Sequence, residues 1–380
     1  MKIVIATDKF KGSATSAQVA QAMSNAVMSV CPQAQVVSVP VADGGEGTIE
    51  AFAAALPHCH TVQCEAAAPL PQLDPVTATY LLDEEHQTAI IELAAASGLT
   101  LVPQHMRNPL KTSTLGTGVM ILDAIGHGAR HIVLGIGGSA TNDCATGILA
   151  ALGFEFLDND QCHVFPCGEN LGRIATVDAS GVSQAVKDCQ FTIICDVDNP
   201  LYGENGAAHI YGPQKGASPS QVEQLDQGVK HFATLMPDGV ANTPGAGAAG
   251  GVGGGLMAFL NATLTPGIDA VLNCLNFDET IHDADLIITG EGRIDGQTAM
   301  GKTAGGVLRA GKRNGIPVVA ICGALANDAR IDVMEFDGIF PVVQQPCTLE
   351  QAMDTTRCLH NVEATVKQIM KLFVSQHKPL

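Results

Sequence analysis

A chain of 380 residues, 46% hydrophobic and 15% charged, is long enough for two ordinary domains with separate cores, and this composition excludes a disordered protein. Twenty basic residues against 38 acidic ones leave a net charge of −18, so the surface as a whole repels nucleic acid and anionic membranes, and an anionic ligand needs a locally basic site. The twelve cysteines are scattered without a C-x-x-C pair and read as reduced; the opening apolar run is too short for a signal peptide and no run approaches transmembrane length, so a cytoplasmic protein is expected.

Lys2 to Thr7 is a β-branched strand, Asp8-Lys-Phe-Lys-Gly-Ser13 a polar loop, and Thr15-x-x-Gln18 a capping box that opens a helix with Val19, Met23, Val27 and Val30 on its buried face. Gln35 to Pro40 is the next strand, in a βαβ rhythm, followed by the loop Ala42-Asp43-Gly-Gly-Glu46-Gly-Thr48. Both loops stand at strand C-termini, where such units bind ligands. Lys9 and Lys11 are either anion contacts or solvated lysines.

From about Thr61 the rhythm changes to strand-like runs at 62–65, 76–82 and 88–93, separated by Pro-rich or charged turns and antiparallel in character. Glu92, beside Ser97-Gly98, is a site residue or an edge residue. A helix over Thr114–Ile125 leads to the strand Ile132–Leu134 and the loop Gly135-Ile-Gly137-Gly138-Ser139-Ala-Thr141-Asn142-Asp143, after which 147–152 has the apolar side of a helix. Glycines let the backbone approach a ligand and the N–H groups of a helix start favour an anion, so this order suits a phosphate or carboxylate; a tight turn with Thr141 or Asn142 as N-cap is the plainer alternative.

Phe191 to Cys195 is a further buried strand, ending in Asp196-Val-Asp-Asn199-Pro200. Pro213-Gln-Lys215-Gly-Ala217 and a polar helix from about Ser220 follow. The glycine-dense run from Pro244 through Gly245, Gly247 and Gly250 to Gly255 reads as a linker or as a loop wrapping a ligand, with Leu256 to Leu264 helical after it. The βα rhythm then returns with strands at 285–290, 316–321 and 338–343 and helices at 303–314 and from Leu349 onward. Together these patterns predict an α/β protein of two domains. An open, mostly parallel Rossmann- or flavodoxin-like sheet is built from both chain ends (residues 1–60 and 278–380), with a mixed α/β domain (61–277) inserted and the active site expected in the cleft between them.

Gly135-x-Gly137-x-x-Ala140 matches a dinucleotide fingerprint, which keeps an NAD-dependent dehydrogenase as an alternative, although polar residues crowd the start of its helix. Gly296-x-x-x-x-Gly-Lys302-Thr303 is a literal P-loop pattern, but Glu291–Asp295 separates it from its expected strand. Lys302 at a helix start can nevertheless meet a phosphate. Lysines in several loops, carboxylates at strand ends and four glycine-rich segments are what phosphoryl transfer asks for. A non-catalytic sugar-acid or nucleotide sensor is the rival from another class.

Taken in order, Asp8-x-Phe-Lys11-x-Ser13, Pro40-Val-Ala-Asp43-Gly-Gly-Glu-Gly-Thr48, Glu92-x-Ala-x-Ala-Ser-Gly-Leu99, Gly135–Asp143, Pro213–Ala217, Pro244–Gly251 and Ile288-Thr-Gly-Glu291-Gly-Arg-Ile-Asp295 with Gly301-Lys302 closely resemble the bacterial type-1 glycerate kinases across nearly the whole chain. The resemblance implies ATP-dependent phosphorylation of D-glycerate, typically to 2-phosphoglycerate, with Mg²⁺; 3-phosphoglycerate is the alternative product. Within that reading Gly137, Gly138, Ser139, Thr141, Asn142, Gly245, Gly247 and Lys302 are candidates for ATP phosphates and Glu291 and Asp295 for Mg²⁺. Asp8, Ser13, Lys215 and Asn199 are candidates for substrate, and Asp196, Lys11 and Asp43 for catalysis, with Asp196 the base. Cys144-Ala145 stands where the family usually has glycines; if those glycines need positive φ, this loop has to differ locally.

Overall fold

The computed structural model describes residues 1–41, 52–53, 56, 58–299, 302–328, 331 and 335–376. The chain divides into two compact units, Met1–Gly45 with Gly267–Leu380, and Glu46–Pro266. In chain order the strands are β1 (Lys2–Thr7), β2 (Gln35–Pro40), β3 (His60–Ala66), β4 (Val76–Asp83), β5 (Thr88–Glu92), β6 (His131–Gly135), β7 (Glu155–Leu157), β8 (Thr176–Asp178), β9 (Gln190–Ile194), β10 (Thr263–Thr265), β11 (Leu286–Ile294), β12 (Val318–Leu325) and β13 (Gly338–Pro341).

The unit built from the chain ends carries a five-stranded, wholly parallel sheet in the order β13-β12-β11-β1-β2. Alternation along β1 sends Ile3 and Ile5 to one face, where they meet Val19, Met23 and Val27 of helix Ser16–Val30 and Val362, Val366 and Ile369 of helix Thr355–Gln376. Val4 and Ala6 point the other way, into a core with Ile268 and Leu272 of helix Gly267–Cys274 and Val307 and Ala310 of helix Thr303–Asn314. Both faces are covered, as the near-continuous apolar strands require. The capping box at Thr15 and Gln18 is present and starts the first helix. From β1 the chain steps outward to β2, and on its return it builds β11, β12 and β13 on the opposite side, so the winding direction reverses between β1 and β11. Ligands of doubly wound sheets collect at the strand C-termini of such a point.

The second unit contains a six-stranded mixed sheet, β10-β9-β6-β5-β4-β3, and a small β7-β8 ribbon. The pairs β3/β4 and β4/β5 are antiparallel, as the alternating runs predict, while β5, β6, β9 and β10 run parallel. Two local expectations are corrected. The glycine-dense segment is itself helical, Ala248–Leu260, broken by Ala249, Gly250 and Gly251 in left-handed conformation, and Thr263–Thr265 beyond it is a strand paired with β9, where a helix is expected to Leu264. β11 also continues past Gly290 to Ile294, because Arg293 and Ile294 pair with Ala324 and Leu325 of β12; the segment read as separating strand from P-loop pattern is largely strand. Among the described residues no helix is long and apolar enough to cross a membrane, and the twelve cysteines are free.

Candidate functional site

In the first unit the C-terminal ends of β1 and β11 gather a charged cluster at the reversal point. Thr7 pairs with Gly290, which places Asp8 beside Glu291. The Asp8 carboxylate accepts from Lys9 N at 2.6 Å and from Thr303 Oγ1 at 3.0 Å, so it is tied to the first residue of helix Thr303–Asn314. Lys302, the N-cap of that helix, lies 3.7 Å from Asp295, and Arg293 lies 3.5 Å from the same carboxylate. Glu291 is buried and accepts from Thr298 Oγ1 at 2.7 Å. Burial pushes its carboxyl up to about 7; Thr298 and the Lys302 charge oppose the shift, while Asp8 and Asp295 add to it.

The loop after β1 is a tight turn, closed by hydrogen bonds between Phe10 and Ala14 in both directions. It lies over Gly292 of β11, where an added Cβ would come 3.2 Å from Lys11 N. Lys11 is exposed, whereas the Ser13 hydroxyl is buried near Cys358. Asp43 lies outside the described residues.

In the second unit the ends of three adjacent parallel strands form the other candidate site. Glu92 pairs with Gly135 and Gly135 with Ile194, so the segments after β5, β6 and β9 leave the sheet at one level. The loop after β6 is pinned to the segment after β5 by Leu99 N to Gly138 O (2.8 Å) and Ala140 N to Ser97 O (2.9 Å), and Thr112 Oγ1 donates to Ala140 O at 2.9 Å. Gly137 and Gly138 are exposed; Ser139, Thr141, Asn142 and Asp143 are buried. Asp143 Oδ2 accepts from Thr114 N (2.7 Å), Thr114 Oγ1 (2.8 Å) and Gly147 N (3.3 Å). Burial raises the carboxyl of Asp143 and the Thr114 bonds counter it. Lys215 is also buried and donates to Ser139 Oγ at 2.8 Å and Thr141 O at 2.7 Å. Desolvation brings its ammonium down to about 7, against the pull of Asp143.

Cys144 and Ala145 both have positive φ, 50° and 62°. The loop therefore takes a left-handed path here with side chains on it. It packs against the broken helix, with Cys144 N donating to Gly250 O at 3.1 Å, and a Cβ on Gly250 would lie 2.1 Å from Thr141 O. Gly245 and Gly247 face the segment after β9. A Cβ on Gly247 would stand 2.2 Å from Pro200 O, and its N–H bonds Asn199 O at 3.0 Å. The Asn199 side chain is held between Asn205 O (2.9 Å) and the Tyr211 hydroxyl (2.5 Å), and Asp196 is exposed just beyond β9. Thus Asp8, Lys11, Glu291, Asp295 and Lys302 gather in one unit, and the 137–142 loop, Lys215, Asp196, Asn199, Gly245 and Gly247 in the other.

A model of the glycerate kinase family matches residues 3–374. The chain belongs to the glycerate kinase family. It is 43% identical to the glycerate 2-kinase of Escherichia coli (strain K12), over 96% of this chain and 98% of that one. It is 45% identical to the glycerate kinase of Halalkalibacterium halodurans, over 92% and 93%. A crystal structure from Salmonella typhimurium LT2, described as a candidate glycerate kinase 2, superposes with a TM-score of 0.81 at 40% identity over the whole of both chains. In this kinase the partners that sequence reading misses are Thr298, Thr114 and Tyr211. Each is an ordinary polar residue until the fold brings it to a carboxylate or amide, and a separation of 29 positions between Thr114 and Asp143 carries no spacing signal.

Proposed function

We propose that this kinase transfers the γ-phosphoryl group of ATP to a hydroxyl of D-glycerate, giving 2-phosphoglycerate. The carrying observation is the gathering of Asp8, Glu291, Asp295 and Lys302 where the parallel sheet reverses its winding. The name of the Escherichia coli relative supports the choice of the 2-hydroxyl.

The donors in this cluster are hard oxygens, and a glutamic acid raised to about 7 by burial is a group that a divalent cation would return to its ionised form. Among the described residues no three His, Cys, Asp or Glu side chains form a metal cage. Mg²⁺ needs none when one or two carboxylates share it with substrate phosphates. Glu291 and Asp295 would hold it, and when bound it supplies charge neutralisation for the phosphates. Lys302 adds a cation at the N-terminus of a twelve-residue helix, whose N–H groups favour a phosphate oxygen. Lys11, exposed on its turn, is assigned to the glycerate carboxylate, with Asp8 fixing the base of that turn. In the second unit the exposed Gly137–Gly138 backbone accepts an anionic group and Asp196 takes the proton of the attacking hydroxyl.

A coupled assay of ADP release with D-glycerate tests the activity; binding of glycerate and ATP without turnover would instead fit a sensor. Phosphorus NMR of the product separates the 2- from the 3-phosphate, and a 3-phosphate signal alone would sink the regiochemistry. Asp196→Asn should lower kcat by roughly 10²-fold with little change in KM, as expected of a general base.

A further inference from the structure

Lys215 is the one lysine among the described residues whose side chain is fully buried, and the chain around it is built to bury it. It ends the 3₁₀ turn Pro213–Lys215. Gly216 follows at φ 97°, where a Cβ would stand 2.5 Å from Arg107 O, and the Ser218–Gln221 capping box then starts helix Pro219–Ala233. A buried ammonium is a poor way to gain stability, because its contacts only partly return what desolvating it costs. Both of its recorded hydrogen bonds go to the loop after β6, at Ser139 and Thr141. Two residues on, Asp143 ties the same loop to Thr114. The loop is therefore anchored on its buried side by an amine and a carboxyl group, while Gly137 and Gly138 stay exposed; between the anchors the amide group of Asn142, wholly buried, has no partner.

We propose that Lys215 is a positioning residue for phosphoryl transfer: through Ser139 Oγ and Thr141 O it holds the Gly137–Gly138–Ser139 turn in the form that receives an anionic group, without touching the substrates itself. The inference rests on the proposed kinase reaction for its purpose and on the loop geometry for its mechanism. Methionine has nearly the shape of lysine and none of its donors, so Lys215→Met frees the loop; the double variant Lys215→Met/Asp143→Asn also removes the buried carboxyl group whose charge Lys215 offsets.

Hydrogen exchange by mass spectrometry and steady-state kinetics together form the test, on the full chain. In the double variant, and in the single one where it folds, peptides covering residues 136–146 should exchange at least tenfold faster while those of β1 and β11 are unchanged, and kcat should fall at least 10²-fold, because small misplacements of positioning groups cost that much. Lys215→Arg, which keeps the charge with another shape, should recover part of the protection. Unchanged exchange with a rise in KM for glycerate or ATP alone would make Lys215 a direct ligand and overturn the proposal. Unchanged exchange with unchanged turnover would reduce it to a core residue. Should the parent chain not turn over glycerate, the proposed reaction fails, and the exchange data still decide whether Lys215 holds the loop.

Discussion

The glycines of the second unit divide by what surrounds them. Gly137 has nothing within 4 Å of the place where its Cβ would stand and no left-handed φ, so the protein itself does not require glycine there; at Gly247 the same atom would collide with Pro200 O. Gly137→Ala should leave the melting temperature within about 2 °C of the parent while weakening the substrate whose anionic group meets the loop, whereas Gly247→Ala should cost about 2 kcal/mol or more by overpacking. Equal melting losses in the two would remove the distinction. Lys215 gives a prediction in pH. Its folded value of about 7 lies below the ordinary lysine value of 10.5, so between these limits the unfolded chain holds a proton that the folded chain lacks, and stability rises with pH across that window and is lost as pH falls through 7. The melting temperature of the parent relative to Lys215→Met should therefore climb from pH 7 to pH 9. A flat difference would mean that the ammonium keeps its proton throughout.

At the scale of elements, what the sequence makes legible is whatever repeats. β-Branched runs mark β1, β2, β6, β9, β11 and β12, and the helical spacing of Ala304, Val307 and Leu308 marks a helix over 303–314 with the same limits in the structure. The candidate site is legible where a motif and a strand end coincide, as at Asp8 and the loop after β6. It is not legible where the fold alone makes the pair: Asp8 with Thr303, 295 residues away, or Asp143 with Thr114. β10 and the broken helix escaped for a related reason, since three residues are too few for a period and glycine has no side chain to display one. The break makes its own prediction. Gly250 combines φ 75° with a Cβ position 2.1 Å from Thr141 O, so Gly250→Ala should lose about 2 kcal/mol or more. Its neighbour Ala249 is an alanine already held at φ 54°, and Ala249→Gly should be neutral or stabilising by up to about 1 kcal/mol, as left-handed strain is relieved against the entropy of a freer unfolded chain. Thermal melts of the two variants decide, and a loss at Ala249 as large as at Gly250 would contradict the left-handed path.

For the whole molecule, the two units each have their own apolar core, and the interrupted one is built from segments separated by more than two hundred residues. Opening the inserted unit while the other stays folded would leave a very long loop to be closed by the remaining sheet, at an entropic cost that the reverse order avoids. The unit of the chain ends should therefore open first in denaturant. Five buried thiols report on this without any cysteine being introduced: Cys322 and Cys358 lie in the unit of the chain ends, Cys144, Cys167 and Cys189 in the inserted one. Burial raises all five thiols above their ordinary value, so in the folded chain they are short of the reactive thiolate as well as covered, while Cys162 is exposed. Pulsed alkylation across a urea series, read by mass spectrometry, should modify Cys162 in the absence of urea, then Cys322 and Cys358 together, and only at higher urea the other three. A single midpoint for all five would mean that the units unfold as one body, and the opposite order would mean that loop closure does not govern which unit opens first.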